Sequence, residues 1–321
     1  MRAIQVSEHG GPEVLKYTEV EQPRIGPDQL LVETEAIGIN FIDTYIRTGL
    51  YPQSVPYIPG AEGSGVITEV GANVTEFAVG DRVAWAAAAG SYAERVAVDA
   101  AVAIEVPAAV PAPVAASVLL QGMTAHYLIE SVHKPRPGES ILVHAGAGGV
   151  GLILTQMACA RGLRVITTVS SDEKETLSRA AGAAEVLRYS DDLAEQVRAL
   201  TDGVGVAAVY DGVGRSTFEA SLASLRIRGT LALFGAASGP VPPFDLQRLN
   251  PAGSLFVTRP TLAHYTRDRA ELVWRAGDVL AAVADGSLHV RVGATYPLAE
   301  AERAHRDLEG RRTTGSIVLL P

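Results

Sequence analysis

The chain has a single cysteine in 321 residues, Cys159. One thiol can form neither an internal disulfide nor a thiolate zinc cluster. Positive charge is in deficit too. Lys and Arg number 27 against 36 Asp and Glu, a formal net charge of −9. That balance argues against nucleic acid or an anionic membrane as the main partner, while leaving room for a local basic pocket for a phosphorylated small molecule. Long apolar runs are missing: charges, Gly or Pro interrupt every candidate for a membrane span. The opening MRAIQVSEHGGPEVL lacks the apolar run of a signal peptide, and none of the seven histidines has a partner at metal-ligand spacing. These absences predict a soluble cytoplasmic protein.

Apolar residues make up 47% of the chain, enough for a sizeable core. Up to about residue 105 the pattern is of short strands between Gly and Pro turns: LLVETEAIGI, GSGVITEVG, GDRVAWA and SYAERVAVD. This part predicts a small β-barrel or sandwich. VPAAVPAP (106–113) is a punctuated link into an amphipathic helix, VAASVLLQGMTAHYLIESV. From about 122 the pattern changes. SILVHA reads as a buried strand, GGVGLILTQMACARG as a helix and RVITTV as a strand. SDEKETLSRAAGA reads as a helix opened by a Ser170/Glu173 capping box. EVLRY, DLAEQVRALT, GVAAVYDGVG, FEASLASLR and GTLALFGA continue the alternation. Strand then helix, repeated, demands parallel pairing with helical crossovers. The expected fold class is therefore α/β, with a doubly wound parallel sheet beside a β-rich domain. The last 60 residues, two helices and then GSIVLLP as a strand, leave this alternation and are expected to return to the first domain.

VHAGAGGVG (143–151) packs four glycines and two alanines into nine positions. Gly146-x-Gly148-x-x-Gly151 fits the dinucleotide fingerprint, between an entering strand and a leaving helix. Gly146 makes the tight turn, Gly148 lets backbone approach a pyrophosphate, and Gly151 lets the helix lie close to the sheet. Gly149 and Val150 complete the helix N-terminus, whose partial positive charge suits an anion. An NAD site carries Asp or Glu at the end of the second strand. Here Val169, Ser170 and Ser171 occupy that place, and Asp172 lies one step beyond. Lys174 follows on the same turn, and Tyr189 ends the next strand. Hydroxyls, a cation and a phenol around an acid-free strand end predict a 2′-phosphate, hence NADPH.

AIGINFIDTYIRTGLYP (36–52), PYIPGAEGSGVITEVG (56–71), GDRV, QGMTAHYL, HAGAGGVG and VYDGVG resemble the medium-chain dehydrogenase/reductase superfamily. Within it they are similar to the zinc-free quinone oxidoreductases, the zeta-crystallin-like branch, and the resemblance covers nearly the whole chain. It implies a GroES-like catalytic domain over 1–121, a Rossmann NADPH-binding domain over 122–261, a segment 262–321 returning to the first, and a homodimer. Zinc-dependent relatives carry a metal-binding Cys where Asn40 stands and a metal-binding His where Ala61 stands. An amide and a methyl cannot replace them on Zn²⁺. Asp43 and Glu62 remain, with structural roles expected. Reaction by hydride donation and hydrogen bonds alone suits quinones, which are already electrophilic, and a developing oxyanion wants preorganised donors. Tyr45 and Asn40 match cleft positions of the branch. Tyr45 is the expected donor and Asn40 the positioning residue. The resemblance also places Thr124, Phe234, Gly235 and Val257 near the nicotinamide and Arg311 near the phosphate end. Two alternatives stay open: an NADPH-dependent reductase of α,β-unsaturated ketones, aldehydes or thioesters, and an NADPH-binding structural or regulatory protein.

Overall fold

The computed structural model describes Met1–Pro321 as two units, 1–123 with 267–321, and 124–266. The first begins with a ribbon of β1 (Arg2–Gln5) and β2 (Lys16–Glu19). Then come β3 (Gln29–Ile39), α1 (Phe41–Arg47), β4 (Glu62–Val70), β5 (Arg82–Trp85), β6 (Arg95–Asp99), β7 (Ile104–Glu105) and α2 (Ala112–Tyr127). The strands match the Val- and Ile-rich segments of the sequence. Helix α1 does not follow from them: seven residues are too few to show a helical period. It forms because Asn40 is extended and its N–H donates to the Asp43 carboxylate, 2.9 Å away, closing the first turn. A wide turn over Leu128–Val132 extends α2. The joined stretch Ala112–Val132 is long and apolar enough to cross a membrane, which corrects the expectation that every candidate is interrupted. In its most apolar window 78% of the residues are buried in protein, as in a core helix.

The second unit follows the alternation. It contains β8 (Ser140–Val143), α3 (Gly149–Ala160), β9 (Arg164–Val169), α4 (Asp172–Ala180), β10 (Glu185–Arg188), α5 (Leu193–Ala199), β11 (Val206–Asp211), α6 (Phe218–Ser224), β12 (Leu225–Leu233) and β13 (Phe256–Thr258). All six strands are parallel, in the order β10-β9-β8-β11-β12-β13. The chain winds outward from β8 one way, then returns to β11 and winds the other way. This leaves a topological switch point between β8 and β11, the place where open α/β sheets bind ligands. Leu142, Ile166, Val209, Leu222 and Leu231 are among the residues of one core packed against this sheet. The start of α4 is one residue later than the sequence suggests. Ser171, not Ser170, is the N-cap, and its Oγ accepts from the Lys174 N–H at 3.3 Å. Glu173 therefore falls at N2, out of register for a capping box.

The remaining elements are α7 (Arg269–Ala284), β14 (Val292–Pro297), α8 (Ala301–Glu309) and β15 (Ser316–Leu320). β14 is an addition to the sequence reading, which sees only two helices and a strand there. β15 pairs antiparallel with β3 through Ile317–Ile39, Val318–Gly38 and Leu319–Ile37. β3 is thus shared: β6 pairs with its first half and β15 with its last three residues, while β4 runs along most of its length. Two cores result. Leu30, Val32, Ile67, Val83 and Trp85 fill one, and Ile4, Ile37, Tyr92, Leu298 and Ile317 fill the other.

Candidate functional site

In the second unit the glycine loop leaves β8 at the switch point. The chain turns at Ala145, whose φ of +54° is a left-handed conformation unfavourable for a residue with a Cβ. Three bonds fix it. The Ala145 N–H donates to the Tyr189 hydroxyl at 3.0 Å, the Gly148 N–H donates to the Ala145 carbonyl at 2.9 Å, and the Gly146 N–H donates to the Thr168 carbonyl at 2.9 Å. A Cβ on Gly146 would meet Thr167 at 2.6 Å, and one on Gly151 would meet the Ala145 carbonyl at 2.3 Å. These two glycines serve close packing. Gly148 differs: its Cβ would meet only the Ala145 carbonyl, at 3.2 Å. It is the N-cap of α3, and the first helical bond is Leu152 N–H to Gly148 carbonyl. The amides of Gly149, Val150 and Gly151 therefore have no acceptor within the helix and point out of its N-terminus. An uncrowded, side-chain-free cap with three such amides fits a pyrophosphate.

The end of β9 carries the second part. Val169 is buried, and the next polar groups are the hydroxyls of Ser170 and Ser171. Lys174 Nζ lies 3.3 Å from Ser170 Oγ. Asp172 is the first residue of α4, and its carboxylate accepts from Arg188 at 2.6 Å. Arg188 also meets Glu175 at 2.8 Å. Sequence reasoning missed Arg188. Its signal is a cation ending the strand beside Tyr189, and it engages Asp172, the acid next after the two serines, together with Glu175. Ser170, Ser171 and Lys174 are thus brought together, and Tyr189 is joined to the glycine loop. Phe234 and Gly235 leave β12 beside β11: the Phe234 N–H donates to the Asp211 carbonyl at 2.9 Å, and a Cβ on Gly235 would meet the Gly212 carbonyl at 2.4 Å. Val257 lies on the edge strand β13, three strand spacings or about 14 Å across the sheet from β8. Thr124 opens this unit and is buried.

Beneath the loop lies a polar cluster that the sequence does not announce. His144 Nδ1 is 2.8 Å from Thr168 Oγ1 and its Nε2 is 3.0 Å from Ser221 Oγ. Ser221 and Thr217 donate to Asp211 Oδ2 at 2.8 and 2.7 Å, and its Oδ1 accepts from the Val213 and Gly214 N–H groups. Burial holds the His144 pKa below its usual value, so the ring is neutral. The cluster ties the ends of β8, β9 and β11 together. Cys159 is half-buried, its thiol 3.2 Å from the Gly182 carbonyl, and burial pushes its pKa up, away from reactivity.

In the first unit Asn40 and Tyr45 stand on one short helix. Asn40 is buried. Its Nδ2 donates to Glu62 Oε2 at 2.6 Å and its Oδ1 accepts from Gln121 Nε2 at 3.2 Å. Gln121 in turn accepts from Ser316 Oγ at 2.8 Å. Glu62 is fully buried, and its Oε1 accepts from the Leu120 N–H at 2.8 Å. Burial pushes its pKa up to about 8, against the pull of those two bonds. Gly38 makes this approach possible, since a Cβ there would meet the Ala116 carbonyl at 2.2 Å and Glu62 Oε2 at 2.5 Å. Tyr45 is half-buried, with its ring against Phe41 at 5.9 Å and edge-on to Tyr51 at 5.4 Å. Arg311 lies exposed in the turn after α8, with φ +56°. No group of three or more His, Cys, Asp or Glu side chains is placed to hold a metal ion. The donor set at Asn40 and Ala61, an engaged amide and a methyl, does not fit zinc.

A GroES-like sheet and a nucleotide-type parallel sheet in one chain define the medium-chain dehydrogenase/reductase architecture. Residues 26–108 match the alcohol dehydrogenase GroES-like domain, and 149–272 match the family described as zinc-binding dehydrogenase. A quinone oxidoreductase of Pseudomonas aeruginosa is 45% identical over 100% of this chain and 99% of its own. A 2-haloacrylate reductase of a Burkholderia species is 42% identical over 99% and 98%. The mycobacterial protein Rv1454c, solved in complex with NADPH, is 56% identical, with a TM-score of 0.98 over 100% of both chains. The chain belongs to the quinone oxidoreductase family.

Proposed function

We propose that this chain reduces quinones with NADPH by hydride transfer, without metal or flavin. The observation that carries the reading is the β8–α3–β9 crossover, where bare amides at Gly149–Gly151 meet an acid-free strand end at Ser170, Ser171 and Lys174. A 56% identical protein solved with NADPH and a 45% identical quinone oxidoreductase support it. When bound, NADPH supplies a hydride from its nicotinamide ring. The chain's own residues do the rest. The α3 amides hold the pyrophosphate, and Ser170, Ser171, Lys174 and Tyr189 hold the 2′-phosphate. Thr124, Phe234, Gly235 and Val257 line the nicotinamide end, and Arg311 serves the phosphate end. Tyr45 donates its phenolic hydrogen to the substrate oxygen as charge builds there. Asn40 is a positioning residue: one N–H and its carbonyl are already engaged with Glu62 and Gln121.

The 42% identical 2-haloacrylate reductase favours a second reading, reduction of an activated carbon–carbon double bond by the same residues. Two copies of the chain would pair through β13, the edge of the six-stranded sheet, where Phe256 is 60% exposed. The working place is the cytoplasm. The test is NADPH and NADH oxidation by one preparation against 1,4-benzoquinone, a naphthoquinone and 2-chloroacrylate. The account expects NADPH-selective turnover of the quinones. Turnover of the acrylate alone would select the second reading, and NADPH binding without turnover of either would leave a nucleotide-binding protein.

A further inference from the structure

Five side chains, four of them buried and the fifth, Glu309, exposed, form a hydrogen-bonded chain that the proposed chemistry does not use. Asp43 and Arg47 lie one turn apart on α1, buried with opposite charges, and do not touch each other. They are joined by two residues from elsewhere. Arg47 Nη1 is 3.0 Å from His305 Nδ1, His305 Nε2 is 3.0 Å from the Tyr92 hydroxyl, and Tyr92 donates to Asp43 Oδ2 at 2.9 Å. Arg47 also donates to both oxygens of Glu309, at 3.1 and 2.8 Å, and to the Gly10 carbonyl at 3.1 Å.

The proton inventory fixes the direction. Arg can only donate, so His305 Nδ1 accepts and the imidazole hydrogen sits on Nε2. That hydrogen goes to the Tyr92 oxygen, and the Tyr92 hydrogen goes to Asp43. Every bond therefore points from the guanidinium to the carboxylate, and each polarises the next. Burial and the Arg47 charge hold the His305 pKa down to about 3, so the ring stays neutral and the direction is kept. The same Asp43 Oδ2 receives the Asn40 N–H that starts α1. The ends of α1 are thus set by α8, which contributes His305 and Glu309, and by Tyr92 from the segment before β6.

We propose that Tyr92 and His305 are positioning residues for α1, and that through them helix α8 fixes where Asn40 and Tyr45 stand. The proposal rests on the reading that those two residues face substrate. Asp43 is faced by Tyr92, Tyr57, Glu62 and the Asn40 N–H, with His305 and then Arg47 following beyond Tyr92. Burial pushes its pKa up to about 6, and the Tyr92 and Asn40 bonds pull the other way.

The test uses Tyr92→Phe, which keeps the ring and removes one hydrogen bond donor, with His305→Leu and His305→Gln beside it. Three readouts are taken on the full chain: kcat/KM for 1,4-benzoquinone across pH 5–8, the Kd for NADPH, and amide hydrogen exchange over residues 41–49. For Tyr92→Phe we expect kcat/KM to fall about tenfold, the NADPH Kd to stay within about twofold, and the α1 amides to exchange at least about fivefold faster. The acidic limb of the pH profile should move to higher pH, because Asp43 loses a donor that favours its ionised form. His305→Leu should behave alike, and His305→Gln, which can both donate and accept, should recover part of the loss. Wild-type exchange over 41–49 together with wild-type kcat/KM in Tyr92→Phe would overturn the proposal, whatever happens to the melting temperature. If the wild-type chain turns over no quinone, the functional reading fails, and the exchange measurement alone still decides this one. If His305→Leu does not fold, Tyr92→Phe and His305→Gln carry the test.

Discussion

Alanine at Gly148 and alanine at Gly151 should fail in different ways, because the two glycines do different work. At Gly151 the added Cβ meets the Ala145 carbonyl at 2.3 Å and Gly146 backbone at 3.0 Å. Restoring an ordinary contact of about 3.3 Å requires α3 and the loop to part by about 1 Å in a close-packed region. Overpacking of that kind costs about 1–3 kcal/mol, or roughly 3–10 °C in melting temperature for a unit of this size. Gly148→Ala meets one atom at 3.2 Å and keeps an extended backbone, φ −79° and ψ 171°. It gives up only a helix-cap preference, about 0.5–1 kcal/mol. On the proposed reading, however, its methyl would stand where a pyrophosphate would approach the α3 amides. Loss of that approach should weaken NADPH binding by about 10- to 100-fold, equivalent to about 1.4–2.8 kcal/mol. The assay is paired: melting temperature of the free protein, and titration of NADPH fluorescence. A Gly148→Ala protein that binds NADPH as tightly as wild type would refute the reasoning, since the loop would then be a packing device alone.

Three further outcomes follow from the same geometry. Tyr45→Phe should lower kcat with 1,4-benzoquinone by about 100- to 1,000-fold, the scale of losing one oxyanion donor, with NADPH Kd unchanged; unchanged turnover would remove the phenol from the chemistry. Lys174→Ala should raise the Kd for NADPH by about tenfold, the scale of one charge-assisted hydrogen bond, and leave NADH binding alone; equal effects on both nucleotides would place the ammonium away from the 2′-phosphate. Glu62 has its pKa raised from 4.5 to about 8 in the fold, so the folded form holds the proton more tightly than the unfolded chain. Its contribution to stability is full below about pH 4.5 and is lost as pH rises through about 8. Wild type should therefore lose melting temperature relative to Glu62→Gln between pH 6 and 9, and a gap constant over that range would show that Glu62 does not titrate there.

What the sequence discloses is what repeats locally. RVITTV and EVLRY carry their strand character in consecutive residues, and the alternation from Ser140 to Leu233 implies parallel pairing before any coordinates exist. Helix α1 is invisible because seven residues offer no period, and its start rests on Asp43 reaching back to Asn40. The capping signal of α4 is legible only to within one residue, since Ser170 and Ser171 have the same side chain and only the backbone decides which one caps. The polar partners are the hardest. Asn40 meets Gln121 from 81 residues away, and Arg47 meets His305 from 258 residues away. Nothing near His305 in the chain distinguishes it from an ordinary core histidine; His144 adjoins the glycine loop, but its partners, too, come only from the strands and helices that converge on it. Tyr189 shows the middle case: its place at a strand end is readable, but its bond to the Ala145 N–H is a property of the fold.

The most direct test of the central claim is the kcat/KM for 1,4-benzoquinone with NADPH and with NADH, each before and after exhaustive chelation. The account predicts that NADPH is preferred by at least about tenfold and that chelation changes neither value. Equal use of the two nucleotides, or activity lost on chelation and restored by zinc, would contradict it.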